Sequence, residues 1–193
     1  KAAQDLSKAV TDEMQHLSMT GGCLQITLPK CDPWAGGMER CEFLVSGHAG
    51  ATPRPLTKVA SGGELARISL AIAVITAQIT PVPTLIFDEV DSGIGGAVAE
   101  VVGRLLRRLG HNRQVLCVTH LSQVAACANN QWLVQKETHD EVTTSSLRPL
   151  SDEERIREIA RMAGGLQITD ATLKSAQELI ESAKRADGNV DKN

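Results

Sequence analysis

The sequence predicts an α/β fold in which a parallel sheet is flanked by helices. Residues 84–87 and 115–118 form two short, continuous apolar runs, as is typical of strands buried on both faces. A helical apolar pattern over residues 98–109 separates the runs, and the order strand, helix, strand is typical of parallel sheets. Two carboxylates follow the first run directly, at the edge of the predicted sheet where α/β folds bind ligands.

The composition indicates one compact domain, or a domain with an arm, in a reduced cytoplasmic compartment. The chain has 193 residues, a formal net charge of -3 and 42% hydrophobic residues, and no apolar run is long enough to cross a membrane. The negative charge disfavours a dedicated nucleic-acid-binding module, without excluding a local patch that contacts DNA. None of the five cysteines forms a Cys-x-x-Cys pair, which disfavours a zinc site.

The first 57 residues predict a helix followed by an antiparallel pair of strands. An apolar stripe over residues 3–17 indicates an amphipathic helix, typical of the end of a coiled coil, and the glycine pair at 21–22 ends it. Alternating polarity between residues 23 and 46 predicts two strands around a Pro/Gly-rich loop at 29–37. Residues 47–57 are predicted as loop.

From residue 61 onward the sequence predicts helices with short strands between them. A long helix begins at Ser61, and its apolar stripe continues to Ile79 before Pro81 stops it. A short helix is predicted at 121–128, followed by strands at 131–137 and 141–148. Two final helices begin at Ser151 and Thr169, and a polar tail follows Ala186. The chain lacks an initiating methionine and starts inside a helical pattern, so we expect a segment of a longer protein.

Asp88 and Glu89 are the first candidates for chemistry. They follow the predicted strand at 84–87, where the chain leaves the sheet. One carboxylate at such a position can hold Mg²⁺, directly or through water. The other can orient and deprotonate an attacking water. The alternative is a pair of solvated acids at a strand exit.

The run Ser61-Gly62-Gly63-Glu64 before the long helix has two interpretations. A serine followed three residues later by Glu is a capping box, which stabilises a helix start. A cap needs neither glycine, and two glycines weaken the first turn. They do expose backbone N–H groups, and a helix start with free N–H groups binds anions. The run therefore predicts either a cap or a phosphate site.

His120 and the glycine-rich run at 91–96 are the remaining candidates. His120 follows the second predicted strand, where a histidine is most simply structural; beside a phosphate it could donate a hydrogen bond. The run at 91–96 is a flexible turn, or a place where a second subunit approaches closely.

The four motifs occur in a fixed order and together resemble those of ABC-type ATPases. Residues 61–64 resemble the signature motif, 84–89 the Walker B strand, 91–96 the D-loop, and His120 the switch histidine. The signature ends in Glu64 rather than Gln, which resembles the SMC-like branch. The wider runs around the motifs resemble bacterial DNA-repair members of that branch.

This resemblance implies a fold, cofactors and roles for the site residues. The fold is the C-terminal lobe of an SMC-like P-loop ATPase head, and the cofactors are ATP and Mg²⁺. Asp88 is then the Mg²⁺ ligand, and Glu89 and His120 are catalytic. The residues that would contact ATP are Ser61, Gly62, Gly63, Glu64 and Asp91.

The sequence contains no Gly-x-x-x-x-Gly-Lys-[Ser/Thr] loop, since no lysine follows a glycine. In the SMC-like branch that Walker A loop lies in an N-terminal segment, beyond a long coiled coil. The resemblance implies that residues 1–20 end the returning coiled-coil helix, 21–186 form the C-terminal lobe, and 187–193 are a polar tail. The implied partners are the N-terminal half of the same protein, a second head in a homodimer around ATP, and DNA. The chain alone is expected to lack ATPase activity.

Three functions follow as alternatives. The first is part of an ATPase for DNA double-strand break repair and recombination, in the cytoplasm on the nucleoid and without membrane contact. The second is the ATPase subunit of an ABC transporter, which the stripe at 3–17 and Glu64 disfavour. The third is a non-enzymatic interaction lobe whose motifs serve only as caps and turns. Four arginines, at positions 104, 107, 108 and 113, form either a basic patch or, as we prefer, a solvated helix face.

Overall fold

The computed structural model describes residues 1–59, 62–77, 82–139, 142–164 and 167–187. The predicted features at Ser61, Ile79 and Pro81, and the tail beyond residue 187, lie outside these ranges. The helices are α1 (Ala2–His16), α2 (Gly62–Ile75), α3 (Gly96–Leu109), α4 (Ser122–Cys127), α5 (Asp152–Gly164) and α6 (Asp170–Asp187). The strands are β1 (Cys23–Thr27), β2 (Lys30–Trp34), β3 (Gly37–Glu39), β4 (Glu42–Ser46), β5 (Arg54–Pro55), β6 (Thr84–Phe87), β7 (Gln114–Cys117), β8 (Trp132–His139) and β9 (Val142–Pro149).

The predicted N-terminal helix is confirmed as α1, which packs on a small sheet of order β1-β4-β5. Its apolar side buries Val10 and Met14 completely. A second line of side chains on α1 is polar, and hydrogen bonds join it to the edge of β1 that faces away from β4. Since unpaired backbone groups are costly when buried, the helix takes the place of a neighbouring strand.

The polar line consists of Ser7, Thr11 and Gln15, spaced one helical turn apart. The Thr11 hydroxyl accepts a hydrogen bond from the Leu24 N–H at 3.0 Å and donates one to the Leu24 carbonyl at 3.3 Å. The Ser7 hydroxyl accepts from the Ile26 N–H at 2.9 Å, and Gln15 bonds the turn before β1. We call these three residues the polar ladder of α1.

The antiparallel pair predicted between residues 23 and 46 is confirmed as β1 and β4. The loop predicted at 29–37 is wrong in part, because β2 and β3 form a hairpin there. Both hairpin strands are almost wholly exposed, so no buried face gave them an alternating apolar pattern. The loop predicted at 47–57 contains the short strand β5 and the start of a 3-10 turn at Leu56–Lys58.

The parallel core predicted from strand, helix and strand is confirmed. β6 and β7 pair in parallel, with Leu85 opposite Val115. The inner face of the pair joins α1, α2 and α3 in the main hydrophobic core. The regular part of α2 ends at Ile75, before the predicted end at Ile79, and the Thr76 hydroxyl donates to the Ile72 carbonyl at 2.7 Å. Threonine that bonds the preceding turn in this way competes with continued helix.

The prediction that these two strands are buried on both faces is wrong. Ile86 is 70% exposed, Leu116 47% and Val118 61%, all on the face opposite the core. We call these three residues the open face. The apolar runs in the sequence were strong because both faces carry hydrophobic residues, but the described part of the chain covers only one face. An apolar sheet face of this kind needs a partner.

The C-terminal region contains α4, the β8–β9 hairpin and the helix pair α5–α6. The predicted helices and strands are confirmed here, and α4, α5 and α6 share a second hydrophobic core around Ile159 and Ala176. Arg155 of α5 is buried, and its guanidinium donates to the carbonyls of Ala125, Ala126 and Ala128 at the end of α4. Burial lowers the pKa of Arg155, opposed by the nearby Asp152. Among the described helices, none has the length and apolarity to cross a bilayer.

Candidate functional site

The two predicted carboxylates lie at the exit of β6 and are both exposed. The Asp88 carboxylate accepts a hydrogen bond from the Glu89 N–H at 2.9 Å. Glu89 has φ 56°, a left-handed backbone conformation that costs a non-glycine residue about 1–2 kcal/mol. Such strain concentrates at functional sites, so the geometry marks this exit as more than an ordinary strand end.

The N-terminus of α2 lies directly against this exit. A Cβ atom placed on Gly62 would approach the Glu89 carboxylate oxygen to 2.4 Å. A Cβ on Gly63 would meet the side chain and carbonyl of Ser92 at 2.9 Å. Both glycines therefore allow close packing within the chain. Ser61 lies outside the described residues, so the capping box itself stays a prediction.

Glu64 and Arg67 lie along the first turns of α2. The carboxylate of Glu64 lies beside Gly47, where an added Cβ would be 3.4 Å from its oxygen. Arg67 is only 7% exposed and donates to the Ser92 carbonyl at 2.7 Å, which joins α2 to the predicted D-loop. Burial lowers the pKa of the Arg67 guanidinium, while Glu64 acts in the opposite direction.

Sequence reasoning missed Arg67 because the predicted stripe of α2 began at Leu65, which is 39% exposed. The buried residues of α2 are Gly63, Arg67, Ile68, Leu70 and Ala71, and only Ile68 among them belongs to the predicted stripe. A glycine and an arginine one turn apart were the signal that could have indicated the contact.

Asp91 is the most enclosed of the acidic residues predicted at the site, at 2% exposed. One of its carboxylate oxygens accepts from the Thr119 hydroxyl at 2.5 Å and from the His120 backbone N–H at 3.1 Å. The same oxygen lies 3.3 Å from Nδ1 of His120, whose side chain is 70% exposed. Asp91 therefore joins the loop after β6 to the residues after β7.

Cys117, at the end of β7, is a further titratable group near Asp88 and Asp91. Burial raises the pKa of its thiol to about 12, and Asp91 and Asp88 act in the same direction. The thiol therefore stays protonated near neutral pH and is a poor nucleophile. Its role in the structure is packing, because it lies against the main hydrophobic core.

The four arginines considered as a basic patch all have partners within the chain. Arg104 pairs with Glu100, and the long pair of Arg108 with Glu13 spans 3.8 Å. The other two guanidiniums donate to backbone carbonyls, those of Cys127 and of Ala77 and Val82. These contacts disfavour a free basic patch. The half-exposed Arg104 and Arg108 fit the predicted solvated face of α3, whereas Arg113 lies beyond the end of that helix.

The chain is similar in sequence to curated proteins named DNA repair protein RecN. It is 48% identical to the protein from Vibrio cholerae and 47% to that from Xylella fastidiosa strain 9a5c, in each case over 94% of this chain and 33% of the relative. The protein from Streptomyces coelicolor is 41% identical over 95% of the chain and 34% of the relative. The chain thus spans about a third of the length of these relatives. No family model matches it.

Solved SMC head structures share the fold. An Smc head with coiled coil and joint from Pyrococcus yayanosii matches 83% of the chain and 29% of that structure, with a TM-score of 0.59 and 22% identity. A structure from a study of SMC ATPases matches 86% of the chain and 96% of that structure, with a TM-score of 0.52 and 22% identity. The chain is therefore similar in sequence to about a third of the RecN proteins and has the fold of an SMC head.

Proposed function

We propose that this chain is the C-terminal half of an SMC-like ATPase head that acts in DNA double-strand break repair and recombination. ATP binding and hydrolysis would take place where two heads meet. One observation carries the proposal: the exposed carboxylates of Asp88 and Glu89, the glycine-rich start of α2 and the exposed ring of His120 all lie near the exits of β6 and β7. The relatives named DNA repair protein RecN support the role in DNA repair. We propose that the head acts on DNA in the cytoplasm.

The residues present fit Mg²⁺ and a nucleotide phosphate. No cluster of three possible metal ligands occurs within the described ranges. A Mg²⁺ site does not need one, since this ion is commonly held by one or two carboxylates, water and phosphate oxygens. Asp88 offers an exposed carboxylate for this purpose, and the start of α2 offers backbone N–H groups for an anion. When bound, Mg²⁺ supplies charge neutralisation for the phosphate groups.

The protein residues then have separate tasks. Glu89 accepts the proton of the attacking water, and His120 donates a hydrogen bond toward the transferred phosphate. Ser61, Gly62, Gly63 and Glu64 contact the ATP held by the second head. In this structure the Glu89 carboxylate lies over Gly62. The Glu89 side chain must turn away from α2 before Glu89 can act as the base and before the start of α2 can contact ATP.

The open face is the proposed docking surface for the N-terminal half of the same protein, which carries the Walker A loop. The chain spans about a third of its relatives, so these proteins contain sequence beyond the region it matches. The open face continues directly from the site, because Val118 precedes Thr119 and His120 in the chain. Docking there covers the apolar face and places a phosphate loop beside Asp88 and Glu89.

A non-enzymatic interaction lobe is the second candidate, and one observation favours it. Gly62 and Gly63 are explained by close packing within the chain, against Glu89 and Ser92, without any phosphate. The two candidates differ in what the complete protein does: only the first requires ATP hydrolysis that depends on Glu89.

The test is a comparison of Glu89→Gln and Asp88→Asn in the full-length protein. Glu89→Gln should retain ATP binding and slow hydrolysis by about 100-fold or more, as expected for a lost general base. Asp88→Asn should instead weaken Mg²⁺-dependent ATP binding. Glu42→Gln removes an exposed carboxylate on β4 and serves as the matched control, with wild-type behaviour expected. Wild-type turnover by Glu89→Gln would refute the proposed base, and absence of turnover in the wild-type protein would favour the interaction lobe.

A further inference from the structure

We propose that Asp91 is a positioning residue that orients His120, and that it is not a ligand of the nucleotide. This inference rests on the proposed ATPase function and assigns a task to a residue that the sequence resemblance placed among the ATP contacts. The observations that carry it are the burial of the Asp91 carboxylate and the contacts of one of its oxygens, which accepts two hydrogen bonds and lies beside the His120 ring.

The burial of Asp91 limits what the carboxylate can contact. A buried carboxylate is costly unless hydrogen bonds satisfy it, and here the Thr119 hydroxyl and the His120 N–H provide them, at 2.5 and 3.1 Å. Val90, the residue before it, is fully buried and holds the loop in place. To reach a nucleotide, Asp91 would have to break these contacts and leave the interior.

The third contact concerns the His120 ring itself. Nδ1 lies 3.3 Å from the same Asp91 oxygen, while 70% of the side chain is exposed. One edge of the ring therefore lies against a buried and fixed carboxylate, which limits the orientations that the ring can adopt. A carboxylate that orients a functional histidine is a common arrangement in enzymes.

Thr119 completes the arrangement. Its hydroxyl donates to Asp91 and also accepts from the Leu121 N–H at 3.1 Å, so it fixes the backbone on both sides of His120. The loop after β6, which begins with the two candidate carboxylates, is thereby joined to the histidine after β7. The position of His120 is thus tied through Asp91 to the loop that contains Glu89.

The test is a double-mutant cycle in the full-length protein, with Asp91→Asn, His120→Ala and the double variant. Steady-state ATP hydrolysis and the Kd for a fluorescent ATP analogue are measured for each, with urea unfolding to confirm folding. Asp91→Asn should lower kcat by about 10- to 100-fold, the effect seen when a carboxylate that orients a histidine is removed. The Kd should change by less than about threefold, because the residue does not touch the nucleotide. The double variant should be no slower than His120→Ala, because Asp91 acts through that histidine.

Two outcomes would overturn the inference. A Kd raised by Asp91→Asn as strongly as by Asp88→Asn would make Asp91 a nucleotide ligand. Multiplied losses in the double variant would give Asp91 a role independent of His120. The pair Thr119→Ser and Thr119→Val gives a further check, since only the serine keeps the donor, and only the valine should resemble Asp91→Asn. Failure of Glu89→Gln to slow hydrolysis would count against the proposed function instead, so the two failures are distinguishable.

Discussion

Gly62 and Gly63 have two proposed roles, one in packing within the chain and one in phosphate binding. In this chain they allow α2 to begin in contact with Glu89 and Ser92. In the proposed head dimer they also allow a phosphate to approach the N–H groups of the helix. A side chain at either position would obstruct both. Substitution of either glycine therefore cannot distinguish a packing role from a binding role. Residues that serve only one of these roles have to be substituted instead.

Arg67 is such a residue, because its contact is internal. Arg67→Met removes the donor to the Ser92 carbonyl while keeping an unbranched side chain. We expect the free energy of unfolding to fall by about 1–3 kcal/mol, the usual cost of leaving a buried polar group without its partner. Urea unfolding of the purified chain measures this.

Arg108→Met is the matched control for that measurement. The Arg108 side chain is 50% exposed and its ion pair with Glu13 spans 3.8 Å, so we expect a change within about 0.5 kcal/mol. Equal unfolding midpoints for the two variants would mean that the Arg67 contact does not stabilise the D-loop region.

At the scale of secondary-structure elements, hydrogen bonds make the attachment of α1 to the sheet specific. Apolar packing alone would let a helix slide or roll on a sheet. The polar ladder of α1 instead bonds defined backbone groups of β1, which fixes one register. In the proposed full-length protein, α1 is the end of the coiled-coil arm. A movement of the arm would therefore reach β1, and through β4 the region of Gly47 and Glu64.

Thr11 is the residue through which the ladder can be tested. Thr11→Val keeps the shape of the side chain and removes the hydroxyl, which leaves both the N–H and the carbonyl of Leu24 without their partner. We expect a loss of about 1–3 kcal/mol in the free energy of unfolding of the chain. Thr11→Ser keeps the hydroxyl and should lose much less. If valine and serine unfold at the same urea concentration, the hydrogen bonds do not hold α1.

The secondary-structure elements also show which parts of the fold could be predicted from the sequence. Long apolar periods and continuous apolar runs predicted α1, α3 and the parallel pair, because burial imposes those patterns. The β2–β3 hairpin was missed because its strands bury almost nothing. The motifs predicted which residues gather at the site. They could not predict that Asp91 faces inward, because the direction of a loop side chain depends on contacts with residues about 30 positions away.

At the scale of the whole molecule, the chain has the features of half an assembly. Its main core is closed on one side of the parallel sheet, and the open face leaves large apolar side chains in contact with water on the other. The proposed docking of the N-terminal half would close that side and add the phosphate loop. Docking of the N-terminal half would then complete both the hydrophobic core and the ATP site.

This proposal predicts complementation between the two halves. The chain alone should show no ATP turnover, and mixing it with the separately expressed N-terminal half should produce turnover that neither half has. Ile86→Asp places a charge on the open face and should abolish both association and turnover, while leaving the fold of the chain intact because the residue is 70% exposed.

Met38→Asp is the control for the complementation experiment. Met38 is 67% exposed and lies on the β2–β3 hairpin, which is a different sheet from the one that carries the open face. We expect it to associate like the wild-type chain. If Ile86→Asp associates equally well in a pull-down of the two halves, the N-terminal half does not dock on the open face.

The cap that Arg155 places on α4 has a consequence for the order of folding. α4 has six residues, and a helix that short is marginal in water by itself. Its last carbonyls receive hydrogen bonds from an arginine that comes 27 to 30 positions later in the chain. During synthesis, α4 therefore leaves the ribosome before α5, the helix that secures its end. We expect α4 to become stable only once α5 has formed and packed against it.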